Sequence, residues 1–255
     1  MIRRDLIVDR NVARWVLFRQ PHHAELSATI AAGWQTPQFA PLEPHDEVHD
    51  AIRSHDEGWH TWEERPQVRD GRPVAFDEMD LADALPIWRA SILQGLPRSP
   101  LVAYAIAGHF ASLLREFGSW EDEPSERSLA ESFLAWADSQ QNDWLAAWQH
   151  RSPANTTATA DRAVRFVRLF DALSLWLLCA ERTESQTFET PDGPKITFTP
   201  ASPGLLVVTP WPYATPTLQL SASGTAVPAI SYSGTEELLA APSHPMEFAW
   251  QLRPA

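Results

Sequence analysis

The chain has 255 residues, a mass of 28.6 kDa and 44% hydrophobic residues, enough for one large domain, or a domain with an appendage, around a packed core. Twenty Lys+Arg stand against 33 Asp+Glu for a net charge of −13, and Lys195 is the only lysine, so no basic stripe exists to follow a phosphate backbone and nucleic acid is not an expected partner. Local charge is a separate matter: a metal and a few arginines reverse the sign inside a pocket, which leaves a small phosphorylated substrate open.

The single Cys179 excludes an intramolecular disulfide, and its run LSLWLLCAE reads as an inert buried thiol in a reducing, cytoplasmic setting. Arg3, Arg4 and Asp5 are followed by no apolar signal region, and no stretch approaches the length of a membrane span. Neither secretion nor membrane insertion is expected.

In chain order, a first helix is expected over 22–34, where Leu26, Ile30 and Trp34 recur at four-residue steps and His23 shares their face. A second, over 45–57, carries Val48, Ile52 and His55 on one stripe and stops at Gly58. The segment ERPQVRDGRPVAFDEMD reads as irregular, with a turn at Asp70-Gly71. Ser99-Pro100 reads as a cap followed by a first-turn proline and opens a helix to about Phe117 with Val102, Ile106, His109 and Leu113 on one face. The helix over 125–150 carries Leu129, Phe133, Trp136, Trp144 and Trp148 and reads as structural. After a linker at 154–160, the helix over 160–181 is apolar nearly all round, yet Asp171 sits in its middle.

Beyond residue 183 the chain changes to short alternating runs broken by Pro, Gly and Ser, with TPWPY around Trp211 and a short helix at Thr235–Ala241. The expected fold is mainly α: a helical domain at 1–183 and a β-rich extension at 184–255 packed on it as a lid, a brace or a dimer surface.

A buried carboxylate must protonate, pair with a cation or bind a metal. Arg165 and Arg168 lie within two turns of Asp171 and offer a salt bridge. Against that reading, His23, His55-Asp56, His109 and Asp171 all fall at inward positions of separate helices, and their coincidence points to one metal site. Imidazole and carboxylate donors suit Mn, Fe, Co, Ni or Zn, one ion or two, and the lack of thiolates disfavours a closed zinc cage.

The order H…HD…H…D and the string SHDEGW resemble the HD-domain superfamily, whose members are helical and hold a metal through an early His, a His-Asp pair and a late Asp. The resemblance implies His23, His55, Asp56 and Asp171 as ligands. The strings HHAELSATIAAGW, AIRSHDEGWHTWEERP, GRPVAFDEM, AGHFASLL and LFDALSLWL resemble, over nearly the whole chain, a bacterial family catalogued only as a domain of unknown function. In that family an Asp commonly precedes the first His, where this chain has His22; the spacing to Leu26 and Ile30 favours His23 over His22.

The chemistry expected of such a site is hydrolysis of a small phosphoester by a metal-activated water, which Asp56 ligates and orients. His109 is open as a second-metal ligand, a phosphate contact or a general acid. A second ion would draw on Asp77, Glu78 or Asp80, since His60 is the one other histidine between Asp56 and His109. Trp59 stands where superfamily phosphohydrolases often carry a lysine, so phosphate would rely on Arg53, Arg65, Arg72 or Arg89. Trp59, Trp62, Trp88 and Arg89 are the candidate substrate wall, while Glu57, Glu63 and Glu64 read as a solvated rim. The alternatives are an HD-type iron oxygenase and a non-catalytic metal- or ligand-binding accessory module.

Overall fold

The computed structural model describes residues 1–9, 11–117 and 124–255. It opens with a hairpin. β1 (Ile2–Val8) and β2 (Asn11–Phe18) pair antiparallel from Ile2↔Phe18 to Val8↔Asn11. Asp9 in their connection has φ 50, a left-handed conformation that Asp tolerates. Alternation along β2 sends Val16 and Phe18 into the main core and Trp15 to the opposite face, against Val227, Tyr232 and Leu238.

Helices dominate the next stretch. α1 (Gln20–Ala32) carries Pro21 in its first turn, where a missing N–H loses no helical bond. α2 (His45–Ser54) leads through a 3-10 turn at Glu57–Trp59 into the short α3 (His60–Glu63). β3 (Val68–Arg69) and β4 (Arg72–Pro73) close over Asp70 (φ 50) and Gly71 (φ 76), the paired positive φ of the type I′ turn that Asp-Gly favours. α4 (Leu81–Gly95), α5 (Pro100–Phe117), α6 (Pro124–Gln149) and α7 (Thr157–Cys179) complete the helical layer. α7 is buried on nearly every side and packs against α1, α2, α5 and β1.

The remaining strands are β5 (Gln186–Phe188), β6 (Ile196–Ser202), β7 (Leu205–Thr209), β8 (Leu218–Pro228) and β9 (His244–Pro254), with α8 (Thr235–Ala240) before the last. One seven-stranded sheet runs β1-β2-β8-β9-β7-β6-β5, parallel only at β7–β9. The expected mainly α, HD-like helical bundle is thus corrected: helix makes up 49% and strand 23% of the structure, and the sheet is curled and mixed. The first two strands join it through β8, from Arg14↔Pro228 to Leu17↔Thr225. IRRDLIV and NVARWVLF hold the β-branched and aromatic runs of a hairpin, but the charges at Arg3, Arg4, Asp5 and Arg14 blur their alternation.

Three smaller differences have physical causes. α4 forms despite Pro86 in its second turn, because Leu85, Ile87 and Ile92 bury one face. α7 begins three residues before the expected start, at Thr157, because the Thr156 hydroxyl accepts from the Thr159 N–H at 3.2 Å. In α6, Phe133, Trp144 and Trp148 are buried as expected, whereas Leu129 is exposed on the rim of a cavity beside Leu81 and Pro86.

Gly58 is more than a helix stop. A Cβ there would lie 2.2 Å from the Ile87 carbonyl oxygen and 2.6 Å from the Ser91 nitrogen, between two groups of the α4 backbone. Gly58→Ala is therefore expected to destabilise the fold by roughly 1–3 kcal/mol in denaturant unfolding. Gly234→Ala, with nothing within 4 Å of the added methyl, serves as the neutral control; equal stability of the two variants would refute the close approach.

Candidate metal centre

Four elements bring five side chains to one point in the core. His23 sits in the first turn of α1 on the face of Leu26, Ser27 and Ile30, while His22 beside it is exposed. His55 caps α2, whose Val48, Ala51 and Ile52 face inward, and Asp56 follows in the turn. α5 is buried over its whole middle and contributes His109; α7 contributes Asp171. Their exposures are 1% for His23, 0% for His55, 4% for Asp56, 1% for His109 and 7% for Asp171.

Two imidazole nitrogens and two carboxylate oxygens converge. His23 Nε2 lies 3.1 Å from His55 Nε2, 3.3 Å from Asp56 Oδ2 and 3.1 Å from Asp171 Oδ1. His55 Nε2 lies 3.5 Å from Asp56 Oδ2 and 3.4 Å from Asp171 Oδ1. Donors held about 2.0–2.1 Å from a common centre at tetrahedral angles are about 3.3–3.4 Å apart, so this spacing fits a small divalent ion. His109 Nε2 stands farther off, 4.0 Å from Asp171 Oδ2. His23, His55 and Asp56 form one group able to hold a metal ion, and His55, His109 and Asp171 a second that shares His55.

The outer atoms fix the tautomers. A carbonyl only accepts, so the 2.7 Å contact to Ile52 O puts the His55 proton on Nδ1 and leaves the Nε2 lone pair facing the centre. His23 Nδ1 lies 2.7 Å from Ser174 Oγ, which is 2.9 Å from the Asp171 carbonyl and 2.8 Å from Ser27 Oγ. Ser27 donates to the His23 carbonyl at 3.1 Å, and when the one Ser174 proton goes to the Asp171 carbonyl or to Ser27, Ser174 accepts from His23 Nδ1–H, which again turns Nε2 inward. Outer-shell bonds of this kind orient metal-binding imidazoles. The Trp59 indole donates to Asp56 Oδ1 at 3.1 Å, leaving Oδ2 for the centre.

Electrostatics show what the donor set does without a cation. Burial opposes charge on both inner histidines, yet hydrogen bonds and charge from Asp171 and Asp56 outweigh it, pushing His23 up to about 9 and His55 upward as well. Burial would likewise raise the two carboxyls, but the facing histidines hold Asp56 and Asp171 below the usual range. His109 behaves oppositely: burial lowers it to about 4, so it is neutral at pH 7, and its Nδ1 is buried without a partner among the described residues.

The remaining candidates lie elsewhere or act differently. Arg168 pairs with Glu116, and Arg165 with Asp192 at 3.0 Å, so neither serves Asp171. Trp59 is buried and braces Asp56, with Trp62 edge-on to it at 5.6 Å. Trp88 stacks on Phe110 of α5 at 5.0 Å, and the Arg89 guanidinium lies 4.6 Å from the Trp136 ring of α6. Arg53 pairs with Glu25, Arg65 with Glu236, Glu78 with Arg3 and Asp80 with Arg69; Arg72, Asp77 and His60 are exposed. Glu63 departs from the expected solvated rim: its side chain is 1% exposed, 3.4 Å from Arg19 Nε, and accepts from the Gln20 N–H at 2.8 Å. Cys179 carries a thiol that burial pushes up to about 11, consistent with an inert role. Ser27 and Ser174 escaped the sequence reading, although each lies one turn from a ligand candidate on the same apolar face.

Fold and cluster together define an α+β protein with a buried His/Asp centre able to hold a metal ion. The chain belongs to the DUF3891 family, described as proteins of unknown function, which matches residues 6–229. No curated protein and no solved structure matches it. The resemblance to the HD-domain superfamily is corrected: the family that matches is DUF3891, with no sign of an HD-domain family, and the curled sheet departs from a helical bundle. Among the described residues, no helix is long and apolar enough to cross a membrane.

Two predictions follow from the protonation state and the outer bonds. His23 binds its proton more tightly folded than unfolded, so in chelator-treated protein its contribution to stability is complete below about pH 6.5 and is lost as pH rises toward about 9. Denaturant unfolding at pH 6, 7.5 and 9 should show this fall, while metal affinity rises over the same window as protons cease to compete. Ser174→Ala is expected to weaken metal binding about 10–100-fold in competition with a chromophoric chelator; unchanged affinity would remove Ser174 from the centre.

Proposed function

We propose that His23, His55, Asp56 and Asp171 hold a divalent transition metal ion and that the protein is a metal-dependent hydrolase of a small phosphoester. The observation that carries this reading is His109. Four donors converge on one point, and a third imidazole beyond them, buried, neutral and unpartnered at Nδ1 among the described residues, is surplus to a purely structural centre. When bound, an ion of the Mn, Fe, Co, Ni or Zn group polarises a phosphoryl oxygen and acidifies water.

The chain's own groups supply orientation and proton handling. Asp56 is clamped at Oδ1 by Trp59, so Oδ2 can accept a hydrogen bond from an incoming water in a fixed direction. His109, unprotonated near neutrality, keeps a lone pair for a metal ion or an incoming proton; its lowered proton affinity favours the further-ligand role, makes it a weak base and disfavours the general-acid role. Arg53, Arg65 and Arg89 are engaged elsewhere, so the charge of the ester falls on the centre itself, which favours a small substrate.

The near-complete burial of the cluster favours a second reading, a non-catalytic metal clamp that ties α1, α2, α5 and α7 together. Both readings are tested on protein purified without added metal or chelator, alongside His55→Ala/Asp171→Ala and His109→Ala. The expected result is stoichiometric metal in the wild type and its loss in the double variant. Bis(p-nitrophenyl) phosphate hydrolysis should fall about 100-fold or more in His109→Ala while metal is retained. Metal with no hydrolysis, and a lower melting temperature on chelation, would leave the clamp; no metal after reconstitution would sink both.

A further inference from the structure

A cavity independent of the His/Asp cluster contains a largely buried cation that no carboxylate contacts among the described residues. About 550 Å³ in volume, it lies between β1, the C-terminal end of α7, the β6–β7 turn and β9. Arg4, on β1 opposite Val16, lines it and is 9% exposed. Among the described residues its guanidinium donates no hydrogen bond and enters no ion pair; it rests on the face of Phe248, 4.8 Å from the ring centroid. That contact leaves the N–H groups of a rigid, fork-shaped donor facing the cavity without a protein acceptor among the described residues, on a side chain buried deeply enough that its charge would normally be paired. Burial pulls the Arg4 guanidinium below its ordinary value, and the nearby Glu181 carboxylate offsets only part of that.

The rest of the wall says what kind of anion fits. Arg182 lines the same cavity, with its Nε donating to the Trp176 carbonyl and its charge near the Trp176 ring. Glu181 also lines it, so the wall carries two cations and one carboxylate, a net single positive charge that suits a monoanion better than a phosphate dianion. Leu177, Leu206 and Phe248 make the remainder apolar. A planar carboxylate matches the guanidinium fork with two parallel hydrogen bonds. We propose that this cavity binds a small monocarboxylate with an apolar body, the carboxylate on Arg4 and the body against Leu177, Leu206 and Phe248.

The test is isothermal titration of the full chain with hexanoate, with 1-hexanol as the same body without charge and with inorganic phosphate as charge without a body. Hexanoate should bind saturably at one site, about tenfold or more tighter than either comparator, and lose about tenfold or more in Arg4→Met. The His55→Ala/Asp171→Ala variant should bind hexanoate as the wild type does, since no residue of the cluster lines this cavity. Absence of saturable binding, equal binding of 1-hexanol, tighter binding of phosphate, loss in the double variant, or undiminished affinity in folded Arg4→Met would each overturn the proposal. If Arg4→Met does not fold, the wild-type comparison of hexanoate with 1-hexanol, together with the double variant, carries the decision alone.

Discussion

Burying two carboxylates in one helical core is the constraint around which the structure is arranged. Asp56 and Asp171 are each almost withdrawn from water and repel one another, so each is pushed toward protonation unless positive charge faces it. His23 and His55 meet both carboxylates at 3.1–3.5 Å and keep them ionised by holding protons of their own. The same four atoms therefore have two ways to balance charge, by protons on the imidazoles or by a divalent cation between them. Metal and protons compete for one set of lone pairs.

The geometry that permits this exchange comes from fixed outer partners. His55 is bound to the carbonyl of its own helix, His23 to a serine pair that bridges α1 and α7, and Asp56 to the indole three residues along. Gly58 extends the lock to α4: its N–H donates to Ser91 Oγ at 3.0 Å, and the lack of a side chain lets the turn lie against that helix backbone. Thus the His-Asp-x-Gly string is a local device in which two residues face the centre and the glycine sets the distance to the neighbouring helix. Such a string can arise on different scaffolds, because the packing it solves is local.

That locality explains what was legible in the sequence. The inward positions of His23, His55, His109 and Asp171 follow from helical periodicity, and the structure does bring them together with Asp56. The turn at Asp70-Gly71 and the Ser99-Pro100 helix start follow from backbone chemistry, and both form. The sheet was hidden for a different reason. β2, with β1 on its outer edge, pairs with β8 about 200 residues away, and no local pattern encodes that partner. Arg4 shows the limit most clearly: within β1 it reads as one more surface charge, and only the return of β9 carries Phe248 over it and closes the cavity.

Placing the two charged sites on opposite kinds of scaffold has a consequence. The His/Asp cluster draws its side chains from α1, the end of α2 and the turn after it, α5 and α7, so its spacing depends on how these helices pack, and each of the five residues is nine-tenths buried or more. The Arg4 cavity is built on the sheet, from β1 and the β6, β7 and β9 region, with α7 as the one element shared: Asp171 in its middle serves the cluster and Leu177 near its end lines the cavity. A helix buried on nearly every side is held in place along its length by packing. α7 is therefore a shared, fixed support: the cluster takes no residue from the cavity wall, and the cavity wall takes none from the cluster.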